Sequence, residues 1–222
     1  MQPGISVSYD SNKANGWLGE GWDINGISTI SIDVRWGSPS FDPKTETELY
    51  SLNGEMLVYD GNYLPHRHND ISETSSIFTT RKQKRDTLLV NNKKVFYFRR
   101  GHDFSKIERY GATTKDYRWV VTNTSGGKVY YGGNEEGVVD NAVIKDDYGN
   151  IIQWAVWKEE DVHKNYIEYE YDNFKVQGLS GDNTNLNGGQ YFHIKKITYT
   201  KSKGQNLKYY TVEFEKESRV SR

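Results

Sequence analysis

Side chains that switch between apolar and polar at every second position recur from end to end of this 222-residue chain. That period leaves sheet as the structure able to bury one face and wet the other. Ile5-Ser6-Val7-Ser8-Tyr9 alternates cleanly, and Gly26 to Val34 repeats the pattern over a longer run. Further strands are predicted at Glu55 to Tyr59, Lys94 to Arg99, Tyr117 to Asn123, Lys128 to Tyr131, Ile151 to Trp157, Tyr166 to Tyr171, Phe192 to Thr200 and Leu207 to Glu215. Val, Ile, Thr, Tyr, Phe and Trp fill them, residues whose branched or flat side chains suit a pleated, half-buried surface.

Turn dipeptides separate the runs: Asn15-Gly16, Asn25-Gly26, Asn53-Gly54, Asp60-Gly61, Gly126-Gly127 and Asn187-Gly188. Glycine and asparagine accept the positive φ that tight hairpins demand. Met56 to Tyr59 should turn through Asp60-Gly61 into Asn62 to Leu64, and Trp119 to Thr122 through Ser125-Gly126-Gly127 into Lys128 to Tyr131. The segment Trp154 to Asn165 invites a helix, but strict alternation resumes at Tyr166-Ile167-Glu168-Tyr169-Glu170-Tyr171, so it reads as strand, polar turn and strand. Pro65 to Ser76 and Gly178 to Gly189 have little to bury and read as mobile stretches. The fold expected is an all-β antiparallel meander forming a curved open sheet or sandwich, shell-like, with little or no helix, and 1–222 as a single β-rich unit.

Composition narrows the function. Only 35% of residues are hydrophobic, yet 14% are aromatic, and large rings fill a core with fewer residues. With 29 basic against 30 acidic residues the net charge is −1, which offers no footprint for a polyanion, so nucleic acid is not an expected partner. Cysteine is absent, which removes disulfides and thiolate chemistry. No apolar stretch approaches the roughly 18 residues needed to span a bilayer, and Met1-Gln2-Pro3-Gly4-Ile5 lacks the basic and apolar regions of an export signal.

Groups that could carry chemistry each have a plainer reading. His66-Arg67-His68 has the spacing of a zinc pair on a strand, but Pro65 and Asn69-Asp70 place it in a loop. His102-Asp103, His163 and His193 are isolated, and no G-x-S-x-G elbow is present. Glu46/Glu48, Glu135/Glu136 and Glu159/Glu160-Asp161 could be imagined as glycosidase carboxylates, but their polar surroundings suggest solvated faces. Asp146-Asp147-Tyr148-Gly149-Asn150 lacks the framework of a calcium loop. Arg81-Lys82-Gln83-Lys84-Arg85 reads as a charged turn. The tryptophans 17, 22, 36, 119, 154 and 157 could be sugar platforms, with Trp36, Trp154 and Trp157 the candidates. Trp154 and Trp157 have opposite parity, so at least one belongs to the core. No residue is assigned a catalytic, cofactor-binding or metal-binding role, and the chain is expected not to be an enzyme.

Several ordered segments carry a family resemblance. Gln2 to Ser11, then Asn15-Gly16-Trp17-Leu18-Gly19-Glu20-Gly21-Trp22-Asp23-Ile24-Asn25-Gly26-Ile27-Ser28, are similar to the opening of the toxin-complex B / Salmonella virulence plasmid B family, whose relatives include YD-repeat, or Rhs, proteins. Ser51 to Val58, Phe104 to Gly111, Lys128 to Gly132, Lys195 to Thr200 and Tyr209 to Phe214 match further family segments in the same order. Asp147-Tyr148-Gly149-Asn150-Ile151 and Tyr169-Glu170-Tyr171-Asp172 resemble the two halves of a YD repeat. The resemblance implies a fragment of a larger secreted or cell-surface virulence protein, one structural segment of an Rhs-type shell around a toxin polypeptide. It also implies partners, other shell segments or toxin-complex subunits, bound through strand edges. Some relatives carry an ADP-ribosyltransferase in a separate domain that nothing here resembles. A carbohydrate- or cell-surface-binding β module is the alternative.

Overall fold

The computed structural model describes residues 1–12, 15–16, 18–35, 37–43, 45–59, 83–85, 93–100, 104–175, 190–204 and 208–216. The turn predicted at Asp60-Gly61, the stretches 65–76 and 178–189, and Trp17, Trp36, His66, His68 and His102 lie outside them.

The described residues form eighteen strands: β1 (Ser6–Tyr9), β2 (Asn15–Gly16), β3 (Gly19–Glu20), β4 (Trp22–Asn25), β5 (Thr29–Ile32), β6 (Thr45–Glu46), β7 (Tyr50–Leu52), β8 (Glu55–Tyr59), β9 (Gln83–Lys84), β10 (Lys93–Phe98), β11 (Lys106–Tyr110), β12 (Arg118–Thr122), β13 (Lys128–Tyr131), β14 (Val143–Lys145), β15 (Ile151–Glu160), β16 (Asn165–Lys175), β17 (Gln190–Ser202) and β18 (Tyr210–Glu213). One 3₁₀ turn, Asp140–Ala142, is the only helical element among these residues. All described strand pairings are antiparallel, so the all-β expectation holds. The open sheet or sandwich does not. Strands β13-β12-β11-β10-β8-β7-β5-β15 run side by side, and β13 pairs again with β15, closing an eight-stranded barrel.

Closure depends on one long strand. At its start β15 pairs with β5 through Gln153, Trp154 and Ala155. Further along, on its opposite edge, Val156 to Glu160 pair with β13. Such stagger is what lets a twisted sheet meet itself. Past the closure the edge used by β5 is taken by β16, through Lys158 to Glu160. There the sheet leaves the barrel as a ribbon, β16-β17-β18. A separate four-stranded sheet, β1-β4-β3-β2, carries the chain start, and β6 pairs with β9.

Alternation sets what fills the barrel. Ile30, Tyr50, Leu57, Phe96, Ile107, Trp119, Val121, Tyr131, Trp154 and Val156 are buried in one cluster. Tyr50, Trp119 and Trp154 pack edge to face, with ring centroids 4.9 to 5.9 Å apart. Gly132 (φ 70°) is demanded by this packing, since a Cβ there would sit 2.3 Å from Trp154 Cδ1.

Three hairpins share one five-residue loop. Asn123–Gly127, Asp146–Asn150 and Asp161–Asn165 each pair the first N–H with the last carbonyl, at 2.8 to 2.9 Å. In each, the first side chain accepts from the last residue's N–H. The fourth position has positive φ: Gly126 at 86°, Gly149 at 85° and, against the glycine rule, Lys164 at 66°. The third loop is the turn predicted between Trp154 and Asn165.

Candidate functional site

Strand parity turns two cations into the barrel. Lys94 lies in phase with Phe96 on β10, and its cross-strand partner Arg109 in phase with Ile107 on β11. Their side chains are 0% and 2% exposed, so each needs a partner. Glu46, on β6, supplies it. Its carboxylate accepts from Lys94 Nζ at 2.6 Å and from Arg109 Nη1 at 2.5 Å. Arg109 also donates to the Tyr50 hydroxyl at 2.8 Å and lies 3.7 Å over the Tyr117 ring. Beside it, Arg85 donates twice to Glu48, at 2.7 and 2.8 Å, once to the Tyr117 hydroxyl at 3.0 Å and once to the Asp42 carbonyl at 2.7 Å.

This nest plugs the barrel with the chain's own polar groups. Burial alone would raise the pKa of Glu46, but Arg109 and Lys94 outweigh it and hold the carboxyl at about 2. Burial wins at Glu48, which is pushed up despite Arg85. Arg109 is held protonated, because Tyr50 and Glu46 outweigh its desolvation. Among the described residues, the buried Arg109 Nε and Trp119 Nε1 protons meet no hydrogen-bond acceptor.

The nest corrects two expectations. Glu46 and Glu48 are not a solvated face: both are 3% exposed. Arg85 is not part of a charged turn on the surface but a buried cation; Arg81 and Lys82 lie outside the described residues. A usable signal was present. Glu46, Glu48, Tyr50 and Leu52 share one parity, and all four are buried. Glu160 is also buried, between Lys158 and Lys164 at 2.8 Å each, whereas Glu135 and Glu136 are exposed.

The other candidates disperse. Trp119 and Trp154 are fully buried, with Trp154 Nε1 donating to the Tyr117 carbonyl at 2.6 Å, so Trp154 is no sugar platform. Trp157 is half-buried against the core, while Trp22 is 46% exposed, its ring 5.0 Å from that of Tyr9. Asp146 spends its carboxylate on Tyr148 N–H and on both nitrogens of Asn150, as a hairpin cap. His163 is exposed in the β15–β16 loop, and His193 packs edge-on against Phe174 and Tyr191. Among the described residues no three His, Asp or Glu side chains are grouped to hold a metal ion.

The ribbon is the opposite of the plug. All four residues of β18 are exposed, and among the described residues β18 pairs with β17 alone. Tyr209, Tyr210 and Val212 are 58%, 62% and 37% exposed. A shallow depression of about 480 Å³, lined by Met1, Gln2, Tyr199, Thr200 and Tyr210, lies beside the strand.

A filled antiparallel barrel that hands one strand on to an open ribbon defines a β-structural domain. The family model described as Salmonella virulence plasmid 65kDa B protein matches residues 1–220, and the chain belongs to that SpvB family. No curated protein matches its sequence. Among solved structures, the N-terminal domain of effector protein SpvB from Salmonella typhimurium strain LT2 is similar at 17% identity and a TM-score of 0.60, over 91% of this chain and 61% of that one. TcdB2-TccC3 is similar at 19% identity and a TM-score of 0.59, over 90% of this chain and 9% of that one. A Tc holotoxin pore of Photorhabdus luminescens is similar at 20% identity and a TM-score of 0.60, over 89% and 8%. The chain thus spans three-fifths of one relative and less than a tenth of the others, and these likenesses establish the fold.

Proposed function

We propose that the chain is a non-catalytic wall segment of a toxin-complex B/Rhs-like shell that encapsulates or presents a toxin polypeptide, reaching the cell surface or exterior as part of a larger protein. The observation that carries this reading is the filled barrel. Tyr50, Phe96, Trp119 and Trp154 occupy its interior together with the Glu46–Lys94–Arg109 nest, so the barrel is built as a rigid post and not as a container. Partners, other shell segments or toxin-complex subunits, would meet it through strand edges. The SpvB-family membership and the fold shared with TcdB2-TccC3 support the same assignment.

The test is to mix the purified chain with a toxin-complex B/Rhs shell protein lacking its own corresponding segment, and to follow protease protection of the enclosed polypeptide. Restored protection is expected. Absence of any association, together with turnover in a panel of hydrolase and transferase substrates, would overturn the reading. The exposed Tyr9–Trp22 pair keeps a carbohydrate- or surface-binding role in play. A glycan-array signal abolished by Trp22→Ala would favour that role over the wall.

A further inference from the structure

Among the described residues nothing pairs with the outer side of β18, and the groups on that side can be assigned. Phe214 N–H donates to the Lys195 carbonyl at 3.0 Å, which makes Phe214 face β17. Ladder bonds alternate along an antiparallel pair. Val212 and Tyr210, opposite Ile197 and Tyr199, therefore also face β17. Tyr209, Thr211 and Glu213 direct their N–H and C=O groups away from the sheet.

We infer that this edge pairs with the same edge of a second copy of the chain, across a twofold axis through Thr211. Two copies of one strand can lie antiparallel in one continuous sheet only about an axis perpendicular to it, so opposed residues must share a face. Centred on Thr211, the register sets Thr211 against its own copy, Tyr210 against Val212 of the second copy, and Tyr209 against Glu213. One face then gains two aromatic–β-branched pairs, continuous with the Tyr199–Tyr210 stack at 5.6 Å. The other gains a threonine pair flanked by tyrosine and glutamate. Pairs of the first two kinds are favourable across antiparallel strands. Centring on Val212 would oppose Lys208 and Lys216, and centring on Glu213 would oppose two carboxylates. The occupant is therefore chosen by the strand's own residues, and pairing would cover the exposed rings of Tyr210 on both copies.

This inference goes beyond the wall reading and does not need it. The chain has no cysteine, so a single introduced thiol reports its own neighbours. At Thr211 the two Cα atoms would stand about 5.5 Å apart, inside the roughly 4.4–6.8 Å that a disulfide spans. Thr211→Cys is expected to oxidise to a covalent dimer in dilute solution, while Thr113→Cys, on an exposed turn far along the chain, stays monomeric. Thr211→Lys should weaken the dimer measured by sedimentation equilibrium at least about fivefold, with an unchanged circular dichroism spectrum. A protein that sediments as a monomer up to its solubility limit would overturn the inference, as would faster cross-linking of Val212→Cys than of Thr211→Cys. Monomeric behaviour would leave the wall reading standing, because the edge would then be free for a strand of another protein. Failure of the protease-protection test would leave the dimer untouched.

Discussion

The barrel interior and β18, the last strand of the ribbon, are cut from the same alternating pattern, yet they treat charge and aromatic ring in opposite ways. In the barrel, Lys94 and Arg109 occupy inward positions and lose all but 0% and 2% of their exposure. On the ribbon, Tyr209 and Tyr210 keep 58% and 62% of theirs. A residue's chemistry does not decide its burial here. Closure does: once β13 meets β15 there is an inside, and inward positions such as Lys94, Phe96 and Arg109 are buried in it, ionic or not. The ribbon has no such closure: Tyr169, Tyr171 and Phe192 on β16 and β17 are buried against the rest of the core, but the rings of Tyr209 and Tyr210 at its last strand stay wet until another layer or chain covers them. The buried cations are tolerated because Glu46 reaches them, and that makes the plug the costly part to disturb.

The contrast breaks most sharply at Glu46. Glu46→Ala leaves Lys94 and Arg109 buried without their carboxylate and should cost about 3–5 kcal/mol in urea denaturation. Glu213→Ala, which removes the exposed Lys196–Glu213 contact at 3.2 Å on the ribbon, should cost about 0–1 kcal/mol in the same assay. Equal losses would show that the plug is not the structural keystone.

Acid titration separates the two plug carboxylates. Glu46 falls from an ordinary 4.5 to about 2 in the folded protein. A depressed carboxyl contributes stability above its unfolded value and loses it as the pH falls through the folded one. About 3 kcal/mol should therefore drain away between pH 4.5 and 2, and Glu46→Gln should flatten that slope. Glu48 is raised, so the folded state takes up its proton more readily and its contribution moves the other way. Glu48→Gln should accordingly cost less at neutral pH than Glu46→Gln, and the reverse order would refute the charge assignment.

Gly132→Ala tests the fit of the barrel wall, since the added methyl meets Trp154 Cδ1 at 2.3 Å and Val143 Cγ1 at 2.9 Å. A loss of about 1–3 kcal/mol is expected, with the near-ultraviolet tryptophan signal altered. A smaller effect, and a gain instead of a loss, is expected at the joint between the two regions, the loop from β15 into β16. Lys164 holds φ 66° where the sister loops use Gly149 and Gly126. Lys164→Gly should gain about 0.5–1 kcal/mol, the relief of left-handed strain less the added freedom of the unfolded chain. Destabilisation instead would mean that the Lys164–Glu160 contact at 2.8 Å outweighs that strain.

Much of this was legible in the residues. Glu55–Tyr59 and Lys128–Tyr131 begin and end where alternation places them, and the Asp161 turn divides β15 from β16 as read. Strands β7 and β14, of three residues each, were too short for a period of two to show. An acid in an alternating run looks the same by itself whether its face meets water or a buried guanidinium, and only the parity shared with Tyr50 and Leu52 pointed Glu46 and Glu48 inward.

Alternation and turn residues, taken alone, determined that this polypeptide makes antiparallel strands, where most of them lie, and which side chains share a face. Those properties are local, since a strand's two faces follow from its own pleat. Which face would be inside was decided only in three dimensions. Whether a twisted sheet stays open or meets itself depends on the stagger between β15 and its neighbours, a relation among residues far apart in the chain. That stagger made an interior out of the face bearing Lys94 and Arg109, and left the face bearing Tyr210 exposed.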